Sequence, residues 1–289
     1  MLASEGVAKV TKEASGYIKL IWSHWSARTG LIISIFIILI AIFAPLIAPR
    51  SYAQTDLKHR LEPPSPDFPF GTDELGRCIF SRVIYGSRIA LWVGILVVIV
   101  EALVGVTLGI IAGYWEGWVD RVISFLSDSI WALPPIVLAL GVVTVIGPGI
   151  SQVVTAIAIV SWPPFTRVSR AKVLSIKNRE FVIAAKAIGE SDISIIVRYI
   201  LPNIIPSILV LATLTLPTAI LSTTALSFLG FGAQPPTPDW GDMIAKGMGY
   251  LQIAPWISTF PGIFLVITSL GFNLLGDGLR DLIDPRLRI

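Results

Sequence analysis

Long apolar runs are the feature that most limits what this chain can fold into. The first run, "GLIISIFIILIAIFAPLIA", covers residues 30–48 and contains no charged side chain. A helix needs about 20 apolar residues to cross the hydrocarbon of a bilayer. Charged residues make up only 14% of the chain, against about 25% in a typical soluble domain. We therefore predict a helical bundle embedded in a membrane.

Further runs of similar length predict six transmembrane helices, and so an all-α membrane protein. The predicted spans are residues 30–48, 89–114, 122–146, 150–168, 204–231 and 255–275. We divide the chain after residue 86. Residues 1–86 then hold an N-terminal cytoplasmic segment, the first transmembrane helix and a proline-rich external loop. Residues 87–289 hold the other five spans and a cytoplasmic loop at 169–202.

The lysines and arginines are distributed unevenly among the segments that join these spans. If the N-terminus is cytoplasmic, 15 of the 22 lie in cytoplasmic segments, among them Lys9, Lys12, Lys19, Arg286 and Arg288. Cytoplasmic loops carry an excess of such residues, so both termini are predicted to be cytoplasmic. The small net charge of +3 is explained by this topology and by contact with lipid, and no nucleic-acid partner is expected.

Catalytic and metal-binding signatures are missing from the sequence. One cysteine, Cys78, excludes an intrachain disulfide and a cysteine-based metal cluster, and the two histidines are far apart. No G-x-x-x-x-G-K-[ST] loop is present, so the chain itself is not expected to bind ATP. We therefore expect a protein that is not an enzyme, with no catalytic residue, metal or cofactor of its own.

The loop at 169–202 is the polar segment with the clearest pattern. Phe181, Ala184, Ala185 and Ile188 recur at the spacing of one helical face. Gly189 suits the position just after a helix, where a left-handed residue is needed, and the next residues predict a second short helix capped by Ser191. A simple connection needs only a few residues. The apolar face is therefore predicted to pack against another protein.

The segment "AAKAIGESDISIIVRYILP" resembles the conserved cytoplasmic loop of ABC-importer permeases. The family pattern is Glu-Ala-Ala, three residues, Gly, nine residues, and an ending similar to Ile-x-Leu-Pro. The spacing is intact here, but Ile183 stands at the Glu position and Tyr199 at the Ile position. The family's glutamate contact to the ATPase is therefore not carried over, and Glu180 is the nearby carboxylate that could replace it.

Four further blocks are similar to the second permease subunit of the dipeptide/oligopeptide/nickel branch: "FGTDELGRCIFSRVIYGSRIALWVG", "GIIAGYWEGWVDRVI", "SFLGFGAQPPTPDWGDMI" and "LGDGLRDLIDPRLR". The resemblance implies a type I ABC-importer permease fold in the cytoplasmic membrane, paired with a second homologous permease. It also implies an external substrate-binding protein and two cytoplasmic ATPases that bind ATP and Mg. The loop then carries the coupling helix, whose expected contact residues are Glu180, Phe181, Ala184, Ala185, Lys186, Ile188, Gly189 and Pro202.

The family resemblance leaves the substrate open. Di- or oligopeptides are the expected substrates, and oligosaccharides or nickel chelates are the alternatives. A secondary transporter that uses Glu101 for ion coupling is a further alternative, although paired intramembrane charges and inverted repeats are not evident. A membrane scaffold without transport activity is the last alternative.

Two carboxylates lie inside predicted spans. Glu101, near the middle of the second span, either lines a pathway or forms a structural hydrogen bond between helices. Asp128, nearer the cytoplasmic end of its span, is predicted to pair with Arg121. Glycines at 105, 109 and 113 recur every four residues on the second span, which favours close packing against another helix.

Overall fold

The computed structural model describes residues 24–283, and this part of the chain is helical apart from its loops. Lys9, Lys12, Lys19, Arg286 and Arg288, which contributed to the predicted topology, lie outside the described residues. The helices are α1 (Trp25–Ile42), α2 (Ala44–Ile47), α3 (Ile79–Trp115), α4 (Gly117–Trp131), α5 (Pro135–Ile146), α6 (Ile150–Ser161), α7 (Pro163–Ile176), α8 (Glu180–Ala187), α9 (Asp192–Ile195), α10 (Leu201–Phe228), α11 (Trp240–Met248) and α12 (Trp256–Ile283).

Four helices of the described region are each long and apolar enough to cross a membrane. They are α1, α3, α12 and the helical stretch that contains α10, and they confirm the predicted first, second, fifth and sixth spans. Pro206 and Pro217 lie inside α10 without dividing it. The second span begins at Ile79, ten residues earlier than predicted, so the division of the chain after residue 86 falls inside α3.

The predicted third and fourth spans are broken helices. The third consists of α4 and α5, which meet at an angle of 90°. Helix α4 ends there because Pro134 and Pro135 have no backbone N–H to continue it. The fourth is divided at Trp162, before Pro163. Its apolar part, α6, has 12 residues, which is shorter than the roughly 20 residues of a full span. By length and composition the described residues therefore contain up to five spans.

Close helix contacts join the two ends of the described chain. A Cβ atom added to Gly30 of α1 would lie 2.2 Å from the Leu275 nitrogen of α12, and one on Gly278 would lie 2.4 Å from the Ala27 Cβ. Only glycine allows the two backbones to approach this closely. The first helix is therefore packed into the bundle and does not form a separate unit.

The bundle has two polar ends, which lie at opposite ends of α3. The loop end is formed by residues 49–78 and 232–255, beside Ile79. The α8 end is formed by residues 176–200, beside Trp115. The loop end is ordered: the Trp240 indole N–H donates to the Val83 carbonyl at 3.0 Å, and that of Trp256 donates to the Thr72 carbonyl at 3.0 Å.

Candidate functional site

Helix α8 and its C-terminal turn have the predicted form. Gly189 has a φ of +81°, its N–H donates to the Lys186 carbonyl at 3.0 Å, and the Glu190 N–H donates to the Ala185 carbonyl at 3.1 Å. These two hydrogen bonds close a helix by the Schellman motif. Ser191 caps α9 by accepting from the Ser194 N–H at 3.4 Å. The helix, glycine break and second helix are thus confirmed.

The predicted contact face of α8 is wrong in one residue. Ala185 is only 3% exposed, and it packs with Val182 against the chain's own core. Ile188, by contrast, is 81% exposed, and Ala184 is exposed as well. Both sides of α8 carry apolar residues, and the bundle itself covers one of these two sides. The exposed apolar surface of α8 is centred on Ile183, Ala184 and Ile188.

The remaining predicted coupling residues lie at various distances from that surface. Glu180 is exposed at the start of α8, and Phe181 is exposed at its flank. Lys186 reaches back towards the bundle, with its Nζ 5.0 Å from the centre of the Tyr114 ring. Pro202 lies in the first turn of α10 and is separated from α8 by α9 and the π-helical turn Ile196–Ile200.

Tyr114, at the α8 end of α3, holds the segment in place. Its ring is buried in a cluster with Val182 and Ala185, and its hydroxyl donates to the Asp192 carboxylate at 2.5 Å. It therefore joins α8 and α9 to the long helix that runs to the loop end. Sequence reasoning missed this residue, although it lies in the quoted block "GIIAGYWEGWVDRVI", because its partners come from distant parts of the chain.

Ion pairs between helices brace the same region. Arg170 of α7 donates two hydrogen bonds to Asp120 of α4, at 2.5 and 2.6 Å. Lys177 pairs with Glu116, at the junction of α3 and α4. These ion pairs hold α3, α4 and α7 together in the region beside α8.

Glu101 lies in the interior of the bundle, where it is 3% exposed. Its polar neighbour is Ser161, the last residue of α6. Just beyond it, a Cβ atom added to Gly105 would lie 2.6 Å from the Trp162 carbonyl oxygen, and one on Gly109 would lie 2.6 Å from that of Thr166. The predicted close packing along the glycines is therefore confirmed, and Glu101 sits at the start of that contact.

Asp128 does not pair with Arg121, contrary to the prediction. Arg121 instead donates to the Gly117 carbonyl in its own helix, at 3.3 Å. The Asp128 carboxylate accepts from Arg167 of α7 at 2.8 Å, and the two side chains remain 68% and 48% exposed, respectively. The pair thus bridges α4 and α7 at the surface of this chain.

Comparisons with known proteins agree with this architecture. Residues 105–289 match the family model described as "Binding-protein-dependent transport system inner membrane component". Residues 19–64 match the N-terminal transmembrane domain of oligopeptide transport permease C.

Curated relatives are similar over most of their length. A dipeptide transport system permease protein of Alkalihalophilus pseudofirmus is 48% identical over 91% of this chain and 86% of its own length. A glutathione transport system permease protein of Escherichia coli is 45% identical over 91% of this chain and 87% of its own length. An oligopeptide transport system permease protein of Bacillus subtilis is 40% identical over 92% and 87%.

One solved structure shares the fold. A chain of the methionine ABC transporter, in inward-facing conformations, superposes with a TM-score of 0.55 over 70% of this chain and 97% of its own, at 16% identity.

Proposed function

The chain belongs to the family of binding-protein-dependent transport system inner membrane components, and from that premise we propose that it is one of two permease subunits that form the pathway of a peptide ABC importer. The relatives are named for transport of dipeptides, oligopeptides and glutathione. These names favour a peptide substrate over oligosaccharides or nickel chelates. The second subunit is a homologous permease, and a substrate-binding protein delivers the peptide from outside.

The observation that carries the proposal is the exposed apolar surface of α8. Ile183, Ala184 and Ile188 point away from the bundle, whereas Val182 and Ala185 fix the helix to α3. An apolar surface on a helix outside the lipid is usually covered by a partner. We assign that partner as an ATPase subunit, which binds the ATP and Mg and hydrolyses the nucleotide, while this chain catalyses no reaction.

The proposed orientation places the α8 end and both termini in the cytoplasm. Arg170, Lys172, Lys177, Arg179, Lys186 and Arg198 lie in or next to the segments that form that end. Such an excess of basic residues favours the cytoplasmic side. The loop end then faces outward, towards the substrate-binding protein.

Secondary transport driven by Glu101 receives no support from its position. The carboxyl group lies in a helix contact inside the chain, and Ser161 provides a hydrogen-bonding neighbour. A proton-coupling group would need access to water from either side of the membrane. We therefore propose a structural role for Glu101.

Substitution of Ala184 tests the proposed docking. Ala184→Glu places a carboxylate in an apolar contact, which is costly without a partner, and should weaken recovery of the ATPases with the tagged permease pair by roughly tenfold, equivalent to about 1.4 kcal/mol. Gln54→Glu, which adds a carboxylate at the exposed loop end, is the matched control and should retain the ATPases. Full recovery of the ATPases with Ala184→Glu would contradict the proposal.

A further inference from the structure

An exposed ion pair inside a broken membrane span is unusual, and the Asp128–Arg167 pair is one. Helix α7 packs along α3, and Arg167 lies at about the level of Gly109, because a Cβ atom on Gly109 would contact both Thr166 and Ser169. The end of α3, at Trp115, is roughly 9 Å further along the helix axis at 1.5 Å per residue. The pair is therefore located within the length of the spanning helix.

The backbone beside the pair is also polar and exposed. The bend between α4 and α5 exposes residues 132–134. Pro135 cannot donate to the Trp131 carbonyl as a helical residue would, whereas the Ile130 carbonyl accepts from the Leu133 N–H at 3.4 Å. Irregular backbone at membrane depth is tolerated only where protein covers it or where it borders a water-filled cavity. Charged side chains in spans follow the same rule.

Two independent features of one surface thus exclude hydrocarbon as its neighbour. Trp131 belongs to the same surface, since the Arg167 guanidinium lies 6.0 Å from the centre of its ring. The surface offers a carboxylate, a guanidinium and an aromatic face side by side. This combination matches a peptide, which carries an ammonium group, a carboxylate and apolar side chains.

We propose that Asp128, Arg167 and Trp131 line the aqueous translocation pathway, and that the ion pair opens to bind the charged termini of a passing peptide. This inference rests on the proposed function for its substrate. The ammonium group binds the Asp128 carboxylate and the peptide carboxylate binds Arg167, so each charge exchanges one partner for another of the same sign.

Accessibility of the surface to a charged thiol reagent is the first test. Ser129→Cys, beside Asp128 and exposed, should react with a cationic methanethiosulfonate in the complete complex in proteoliposomes. Leu103→Cys is the comparison, since Leu103 is 65% exposed in this chain on an apolar stripe of α3, and it should react at least roughly tenfold more slowly. The parent chain, whose Cys78 is buried, gives the background. Reaction of Ser129→Cys only with a membrane-permeant maleimide, or with neither reagent, would place the surface in lipid or in a subunit contact and overturn the inference.

Uptake of a dipeptide with free termini is the second test. Asp128→Asn and Arg167→Gln should each lower ATP-dependent uptake roughly tenfold, the loss expected for one charge-assisted hydrogen bond. Arg121→Gln, on the same helix, should transport normally. Normal uptake by Asp128→Asn and Arg167→Gln would overturn this inference and leave the proposed function unaffected. Absence of dipeptide uptake by the wild-type complex would contradict the proposed function instead.

Discussion

The loop end and the α8 end of the bundle differ in what they bury. At the loop end, charged side chains are buried and satisfied by the chain itself: Arg77 donates to Asp73 at 2.6 Å, and Arg82, 2% exposed, donates to the Tyr52 carbonyl at 3.2 Å. At the α8 end the large apolar side chains of Ile183 and Ile188 are exposed.

This difference separates a structural region from the proposed docking region. Buried charged groups with partners inside the chain fix two loops to the end of α3. Loss of one partner would leave the other charged group buried and uncompensated, which is strongly destabilising. Exposed apolar groups on an anchored helix require a second molecule to cover them. Polar loops thus stabilise one end of this protein, whereas the exposed apolar surface at the other end is the proposed docking site.

Substitution of Arg82 should produce the largest effect. Arg82 links both segments of the loop end, since its guanidinium also donates to the Pro236 carbonyl at 3.4 Å and lies 3.7 Å from Asp73. Arg82→Ala leaves these groups buried without their partner, and should lower the free energy of unfolding by about 3–5 kcal/mol. Thermal unfolding of the purified complex measures the loss.

The control for this prediction is Arg60→Ala, because Arg60 is exposed in the same loop. It should change stability by no more than about 0.5 kcal/mol. If Arg82→Ala unfolds at the same temperature as Arg60→Ala, the loop end is not held by its buried charges, and the contrast with the α8 end is lost.

Removal of the Tyr114 hydroxyl should have a smaller and local effect. Tyr114→Phe keeps the ring in the cluster that holds Val182 but loses the hydrogen bond to Asp192. A loss of about 1 kcal/mol in the free energy of local opening should speed hydrogen exchange of the amides at 180–195 by roughly fivefold. Less peptide should also be transported for each ATP hydrolysed.

Tyr85→Phe is the matched control at the opposite end of α3. The ring of Tyr85 contacts that of Tyr52, with centroids 4.8 Å apart, and this contact does not need the hydroxyl. Exchange at 180–195 should stay at the wild-type rate. An unchanged rate in Tyr114→Phe as well would show that the hydroxyl does not anchor α8.

Sequence reasoning located the continuous spans because hydrophobic length alone determines them. It placed the start of the second span too late, since Arg82 and Ser87 interrupt the apolar run, whereas the structure buries both within α3. The proline pairs at 134–135 and 163–164 were visible in the sequence. The 90° angle at the first pair depends on packing between helices and could not be derived from local pattern.

The candidate site was predictable in its local parts only. Gly189 and Ser191 act on neighbouring backbone groups, so the sequence sufficed to predict their roles. The inward position of Ala185 depends on Tyr114, which is distant in the chain. In the same way, Asp128 pairs with a residue on another helix. Partners brought together by the tertiary fold leave no periodic signal in the sequence.

Protection of Ile188 by the ATPases tests the central claim most directly. Ile188→Cys should react rapidly with a soluble maleimide in the permease pair stripped of its ATPases, and at least roughly tenfold more slowly once they are added back, as expected for a side chain buried in a docking contact. Ala185→Cys, at a position that is 3% exposed, should react slowly in both states. Equal labelling of Ile188→Cys with and without bound ATPases would show that the exposed surface of α8 is not where they dock.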